Sequence, residues 1–249
     1  MLYSAKFWTG LLYCTFPLNL LVYGMNDLMD EDADYDNPRK GNFVYGAKTT
    51  RSQRQGLPMW IGLVNIVYLV ALGLLTGDLL YVMAWFVCAL CVNYLYNYPP
   101  FQLSRKCPWE IPCMIAGHFL IPLLACRINR IPFPSLPSWI FNALLLARSH
   151  IWLEYADIEG DEKCNKRTLA VVMGKAATLR IVMALTLIEA FVGFFLLKSH
   201  LIGIFSVLGM IVFYIASSRR GEFEMVVSTS QSVVGLYIMV YTWINKILV

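Results

Sequence analysis

Asn26-Asp-Leu-Met-Asp-Glu-Asp-Ala-Asp-Tyr-Asp-Asn-Pro-Arg-Lys-Gly41 follows directly on an apolar run that ends at Met25. It sets six carboxylates against a hydrophobic segment, which demands a chemical reason. If the helix continues through it, Asn26, Asp30 and Asp34 recur every four residues and stack on one face, where their oxygens can converge on a hard cation. Such a cluster repels itself unless a metal or cationic groups neutralise it. Pro38 then stops the helix, and Arg39, Lys40, Lys48, Arg51 and Arg54 follow at once. Acids for a metal followed by bases for the anion the metal would carry is the outline of a phosphate site. A solvated helix end beside a membrane is the competing account of such a charge run.

Composition bounds the class. The chain has 249 residues, is 58% hydrophobic with mean hydropathy +0.59, and is only 14% charged. A soluble domain carries about 25% charge, so the chain reads as a polytopic membrane protein. In the bilayer core each backbone group needs a partner within its own segment, so the long apolar runs are expected as helices rather than a barrel. A net charge of +4, concentrated in particular loops, does not imply nucleic acid. The seven cysteines are scattered and odd in number, which yields neither a disulfide framework nor a zinc pattern. Cys88 and Cys91 form a C-x-x-C inside an expected span, where both read as small packing residues.

Spanning segments are expected at about 5 to 25, 57 to 76, 78 to 97, 110 to 127, 134 to 153, 178 to 197, 199 to 218 and 229 to 248. That predicts an all-α bundle of about eight transmembrane helices in one domain over 1–249. Alternate loops carry the basic residues: Arg39 to Arg54 first, then Arg105 and Lys106, then Lys163, Lys166, Arg167 and Lys175, then Arg219 and Arg220. The other loops hold only Arg127, Arg130 and Lys198. By the positive-inside rule the basic loops are expected on the cytoplasmic or equivalent face.

On that same face falls a second acidic cluster, Glu154-Tyr-Ala-Asp-Ile-Glu-Gly-Asp161, followed by Lys163, Lys166 and Arg167. Asp157 and Asp161 are again four apart. Two copies of one chemical logic weigh against the solvated-end account. Two carboxylate-bearing helix ends are what a pair of Mg²⁺ ions bridging a diphosphate needs, since Mg²⁺ takes one or two carboxylates and completes its octahedron with water and phosphate oxygens. The cations, with nearby Lys and Arg, ease charge build-up on a departing diphosphate, and an allylic C–O bond can then ionise. Tyr96-Asn-Tyr-Pro-Pro100 closes the third span. Its tyrosines read either as interface anchors or as rings that stabilise an allylic cation through their π faces. Tyr155 and Trp152 stand beside the second cluster. His118 reads as an interhelical hydrogen-bonding residue, and Arg148 as a neutraliser of an acid or an interface residue. Glu189, inside a span, is a functional candidate with no partner visible in the sequence.

Asn26-Asp27-x-x-Asp30-x-x-x-Asp34, Asp157-x-x-x-Asp161 and Tyr96-x-x-Pro99-Pro100, in this order, resemble the UbiA-type intramembrane prenyltransferases. Asp157 to Gly174 is similar to the usual surroundings of that family's second motif, and the likeness extends over essentially the whole chain. It implies a helical bundle around a central cavity open sideways to lipid, in which Mg²⁺ activates a prenyl diphosphate whose allylic cation alkylates a hydrophobic acceptor. The resemblance makes Asn26, Asp30 and Asp34 ligands of one metal and Asp157 and Asp161 ligands of the other. Arg39, Lys40, Lys163 and Arg167 would contact the diphosphate, and Tyr155 the substrate. Asn37 to Gly41, with Gly46 and Ala47, looks more like the carotenoid-elongating members than the quinone-forming ones. The family usually has nine helices, one of them ahead of the first motif, and here the first span already delivers it. The loop after the double proline departs too, with Gln102 and Ser104 where the family has arginine and lysine.

Two rivals follow from the same residues. A membrane terpene cyclase would keep the ionisation and close the cation on itself. A transporter or scaffold would perform no chemistry, although a transport path should spread ionisable residues through the depth of the bundle, and here Glu189 is the main one away from the ends.

Overall fold

A computed structural model describes residues 4–29 and 50–217. Among these the chain is helical, with one isolated backbone bridge between Lys106 and Arg167 and no named strand. The helices are α1 (Ala5–Thr15), α2 (Pro17–Met29), α3 (Arg51–Thr76), α4 (Leu79–Asn97), α5 (Glu110–Asn129), α6 (Leu136–Lys163), α7 (Leu169–Met173), α8 (Lys175–Phe191) and α9 (His200–Ser217). A short 3₁₀ turn covers Leu103–Arg105, and a π turn, Val192–Leu196, prolongs α8. Arg51–Thr76, Leu79–Asn97, Glu110–Asn129 and Lys175–Leu196 are each long and apolar enough to cross a membrane, and His200–Ile215 is a shorter apolar helix. Large apolar side chains on these rods face outward, such as Leu74 and Leu80 at 71% and 84% exposure. Lipid is the surrounding that makes such exposure costless.

The first expected span, 5 to 25, is interrupted at Phe16, which leaves the helical region with φ −124°. Pro17 is the cause: it lacks the N–H that would continue the ladder, and its ring crowds the residue before it, so it begins a new helix instead. α3 begins six residues ahead of the expected position. Thr50 and Gln53 form a reciprocal capping box there, so Arg51 and Arg54 stand on a helical turn and not in a loop. Gly77 ends α3 in the left-handed region at φ 69°. α6 runs ten residues past its expected end and carries the whole second acidic cluster in helix. The expected span at 229 to 248 lies outside the described residues, as do Asp30, Asp34, Arg39 and Lys40.

The chain divides into two compact units, 1–133 with 159–168 and 134–158 with 169–249. In the first, α3 packs between α2 and α4, α4 packs on α5, and α1 lies against α3 and α5. Its core joins Tyr13, Leu21, Leu69, Leu72, Val82, Trp85 and Leu124, with the Tyr13 and Trp85 rings edge to face at 5.8 Å. Asn65, fully buried on α3, ties three helices: it donates to the Pro17 and Ile61 carbonyls at 3.0 and 2.9 Å and accepts from the Tyr13 hydroxyl at 3.1 Å. A buried amide so satisfied costs little and specifies how α1, α2 and α3 meet. In the second unit α8 packs on α7 and α9. A Cβ on Gly193 would come within 2.9 Å of the Gly203 backbone, so a glycine there lets the hairpin of α8 and α9 close.

Candidate active site

The last turns of α4 belong to the first unit. Val82, Trp85, Ala89, Asn93 and Asn97 form the buried stripe of this helix. Asn97 is 2% exposed at the helix end; it donates to the Asn93 side-chain and backbone oxygens at 2.9 and 3.2 Å, and its own oxygen accepts from Asn26 Nδ2 at 3.0 Å. Asn26, the first residue of the acidic motif, is thereby tied to the residue next to Tyr96. With its amide nitrogen held by Asn97, its amide oxygen is the end suited to a hard cation.

The tyrosines of this region divide. Tyr98 stacks on Tyr94 at 5.3 Å and 12°, Phe101 lies edge-on to Tyr94, and the Tyr94 hydroxyl donates to the Pro99 carbonyl at 3.3 Å. With Tyr94 and Phe101 about half exposed, this is an outward-facing aromatic cluster at the end of α4. Burial pushes the Tyr98 phenol above its ordinary value, so the ring stays neutral. Tyr96 falls two positions from both, on the flank of the buried stripe beside Asn93, and only half-buried.

The loop after the prolines returns to the end of α6. Cys107 N donates to the Arg167 carbonyl at 2.7 Å, and Arg167 N to the Arg105 carbonyl at 3.3 Å. Lys106 Nζ donates to the Pro100 carbonyl at 2.8 Å, which takes it away from a ligand. This backbone pairing fastens the loop after the prolines to the segment that follows α6, beside Asp161. Asp161 itself has Lys166 Nζ 4.0 Å from Oδ1 and accepts a long, 3.4 Å bond from the Thr168 hydroxyl at Oδ2. Lys166 was not among the residues expected to meet a diphosphate; it lies nearer Asp161 than its position in a turn suggests, because the chain folds back after the αL residue Asn165. Lys163 and Arg167, which were expected there, are exposed.

α6 carries the second acidic cluster as continuous helix, so Asp157 and Asp161 stand one turn apart, both half-buried. In the second unit, Glu154 is structural: Oε2 accepts from Ala170 N at 3.3 Å, which fastens α6 to the first turn of α7, and Oε1 lies 3.2 Å from Nε2 of His150, one turn earlier on α6. Tyr155 stacks on Trp152 at 5.2 Å and 11°, Trp152 packs on Phe213 at 4.7 Å, and the Arg148 guanidinium lies 4.9 Å over the Phe213 ring. Arg148 Nε donates to Glu189 Oε1 at 2.6 Å, and both residues are buried. The partner that Glu189 lacked in the sequence is therefore Arg148. His118 spends its ring on the Met114 carbonyl of its own helix at 3.0 Å rather than on a neighbouring helix.

Asp157, Asp161 and Thr168 are all oxygen donors, as is Asn26 through its amide oxygen, and they suit a hard cation. Among the described residues no group of three or more His, Cys, Asp and Glu gathers into a closed metal cage. Oxygen donors of this kind suit an ion such as Mg²⁺, which keeps waters and takes its remaining ligands from phosphate.

The long apolar helices define a multi-pass membrane protein. The profile of the UbiA prenyltransferase family matches residues 3–223, and the chain belongs to that family. It is similar to a lycopene elongase/hydratase of Corynebacterium glutamicum, at 26% identity over 187 residues, covering 74% of this chain and 64% of that protein. A lycopene elongase/hydratase of Haloarcula japonica is 27% identical over 184 residues, covering 73% and 59% of the two chains. A C(50) beta-cyclic carotenoids biosynthesis protein of a Dietzia species is 24% identical over 183 residues, covering 70% and 40%. The matched region thus spans less than two thirds of these curated relatives. No solved structure matches the chain.

Proposed function

We propose that the protein transfers a prenyl group from an allylic prenyl diphosphate to a lipophilic acceptor within the membrane, and that the acceptor is a long polyene of the carotenoid kind. The allylic C–O bond breaks and its electron pair leaves with the diphosphate. The freed carbon then bonds to a nucleophilic alkene carbon of the acceptor, and a proton is lost from the new cation to the diphosphate to restore neutrality. Mg²⁺, when bound, supplies positive charge to the leaving diphosphate. Asn26, Asp30, Asp34, Asp157 and Asp161 are the residues that would hold it. Arg39, Lys40, Lys163, Lys166 and Arg167 share the diphosphate charge, with Lys166 added to the sequence-derived set because of its distance to Asp161. Tyr96 and Tyr155 offer π faces to the cation. The acidic ends lie on the cytoplasmic or equivalent face.

The observation that carries this reading is the pair Asp157 and Asp161, one turn apart on α6 with Lys166 4.0 Å from Asp161, in a chain of this family. The carotenoid acceptor is supported by the names of the similar proteins. The test is Mg²⁺-dependent diphosphate release and product analysis with purified protein, a C5 to C20 series of allylic diphosphates and a C40 polyene. Asp157→Asn and Asp161→Asn should each lower turnover about 100-fold or more while the protein still elutes as a folded species. If Asp157→Ala and Asp30→Ala release diphosphate at the parental rate, the enzymatic reading is wrong. Hydrocarbon formed from the diphosphate alone would instead assign a cyclase.

A further inference from the structure

Two of the three basic residues on the loops opposite the basic ones, Arg127 and Arg130, line a single cavity of about 550 Å³ in the first unit. It opens where α3 turns into α4 and α5 ends, at Asp78, Tyr81, Arg127, Arg130, Ile131 and Phe133. α4 runs from this cavity to Asn97 over 19 residues, about 28 Å of helix, which is close to the thickness of a hydrocarbon core. The cavity therefore lies at headgroup depth on the face away from Asn26 and Asn97.

Its charges are arranged, not scattered. Arg127 is immobilised: Nε and Nη2 both donate to Asp78 Oδ2, at 2.8 and 2.6 Å, and the guanidinium lies 5.2 Å over the Tyr81 ring. Tyr81 is held in turn by its hydroxyl, which donates to the Leu123 carbonyl at 3.3 Å. That leaves Arg127 with guanidinium N–H groups to offer outward. Arg130 caps α5 in the left-handed region at φ 53°, is exposed, and has no side-chain partner among the described residues. Two guanidiniums against one carboxylate give the cavity a formal charge of +1, which selects an anion. Arginine is the side chain best matched to phosphate, and Phe133, 55% exposed, supplies an apolar lip. Positive charge is depleted from this face of membrane proteins, so two arginines sharing one cavity here stand out.

We propose that this cavity binds the phosphate of a membrane lipid headgroup, with Arg130 as the principal contact and Arg127, braced by Asp78 and Tyr81, as the second. The site is separate from the acidic helix ends and does not rest on the reaction proposed above. It would hold the turn between α3 and α4 and the end of α5 at a fixed depth in the bilayer.

The test is thermal unfolding of the full chain in a nonionic detergent, titrated with short-chain phosphatidylglycerol, with diacylglycerol and with inorganic phosphate. Phosphatidylglycerol should raise the midpoint saturably, and the response should weaken as ionic strength rises. Arg130→Gln should weaken the apparent affinity about tenfold, Arg130→Lys should weaken it less, and prenyl transfer measured in detergent should stay at the parental level in both. An equal response of the parent and Arg130→Gln, or an equal response to diacylglycerol, overturns the proposal. Saturation by inorganic phosphate with no additional effect of the lipid overturns its lipid part and leaves a free-anion site.

Discussion

Glu154 and Asp157 are three positions apart on α6, and only their surroundings separate their roles. Glu154 is buried and holds α6 to α7 through Ala170 N, with His150 beside it on its own helix, whereas Asp157 is half-buried one turn before Asp161. The acidic run raised the expectation of a cation site, but nothing in it distinguished the acid that fastens helices from its neighbours. Asn97 presents the same difficulty in reverse. It reads as one more residue in a tyrosine- and proline-rich loop, yet it receives the Asn26 amide and stands at the end of a ladder with Asn93. Asn97→Ala should leave the fold intact and raise the Mg²⁺ concentration for half-maximal turnover about 10- to 100-fold, the size of effect seen when a group that orients a metal ligand is removed. Titration of activity with Mg²⁺ checks this, and an unchanged Mg²⁺ requirement would remove Asn97 from the site.

At the scale of the element, hydropathy located the apolar rods and misjudged their ends. Pro17 interrupts an apolar run, Thr50 and Gln53 start α3 in polar sequence, and α6 continues for ten residues, six of them charged, beyond its apolar part. Windowed apolarity sees none of these, because caps, proline geometry and packing against neighbours set a helix's limits. The pair of α6 and α8 shows what charge does between rods. Arg148 and Glu189 bury a 2.6 Å ion pair, and the guanidinium also covers Phe213, which packs on Trp152 and through it on Tyr155. Breaking one partner leaves a naked charge in an apolar interior. Glu189→Ala should therefore cost about 3 to 5 kcal/mol of stability, while a double change of Arg148→Met and Glu189→Leu should recover most of it. Thermal unfolding of the three variants in detergent decides the matter; a neutral Glu189→Ala would show the pair to be dispensable.

For the whole molecule, the helices of each described unit are held by their own contacts: the Tyr13 and Trp85 core with its Asn65 tie in one, and the close approach at Gly193 and Gly203 in the other. A bound cation is not needed for these. Chelation with EDTA should abolish prenyl transfer and leave helical circular dichroism unchanged, with activity restored by Mg²⁺; loss of helix on chelation would make the ion structural. Family, membrane class, all-helical fold and the acidic motifs could be read directly from the residues, because apolar run length and carboxylate spacing are properties of the chain itself and survive any packing. The bond from Asn26 to Asn97, the pairing of Arg148 with Glu189, the return of Arg167 to Cys107, and the grouping of Arg127 with Arg130 and Asp78 emerged from the fold. Most of these residues lie tens of positions from their partners. A one-dimensional pattern reports which face of a rod is polar, and it takes the packing of one rod on another to choose the group that face meets.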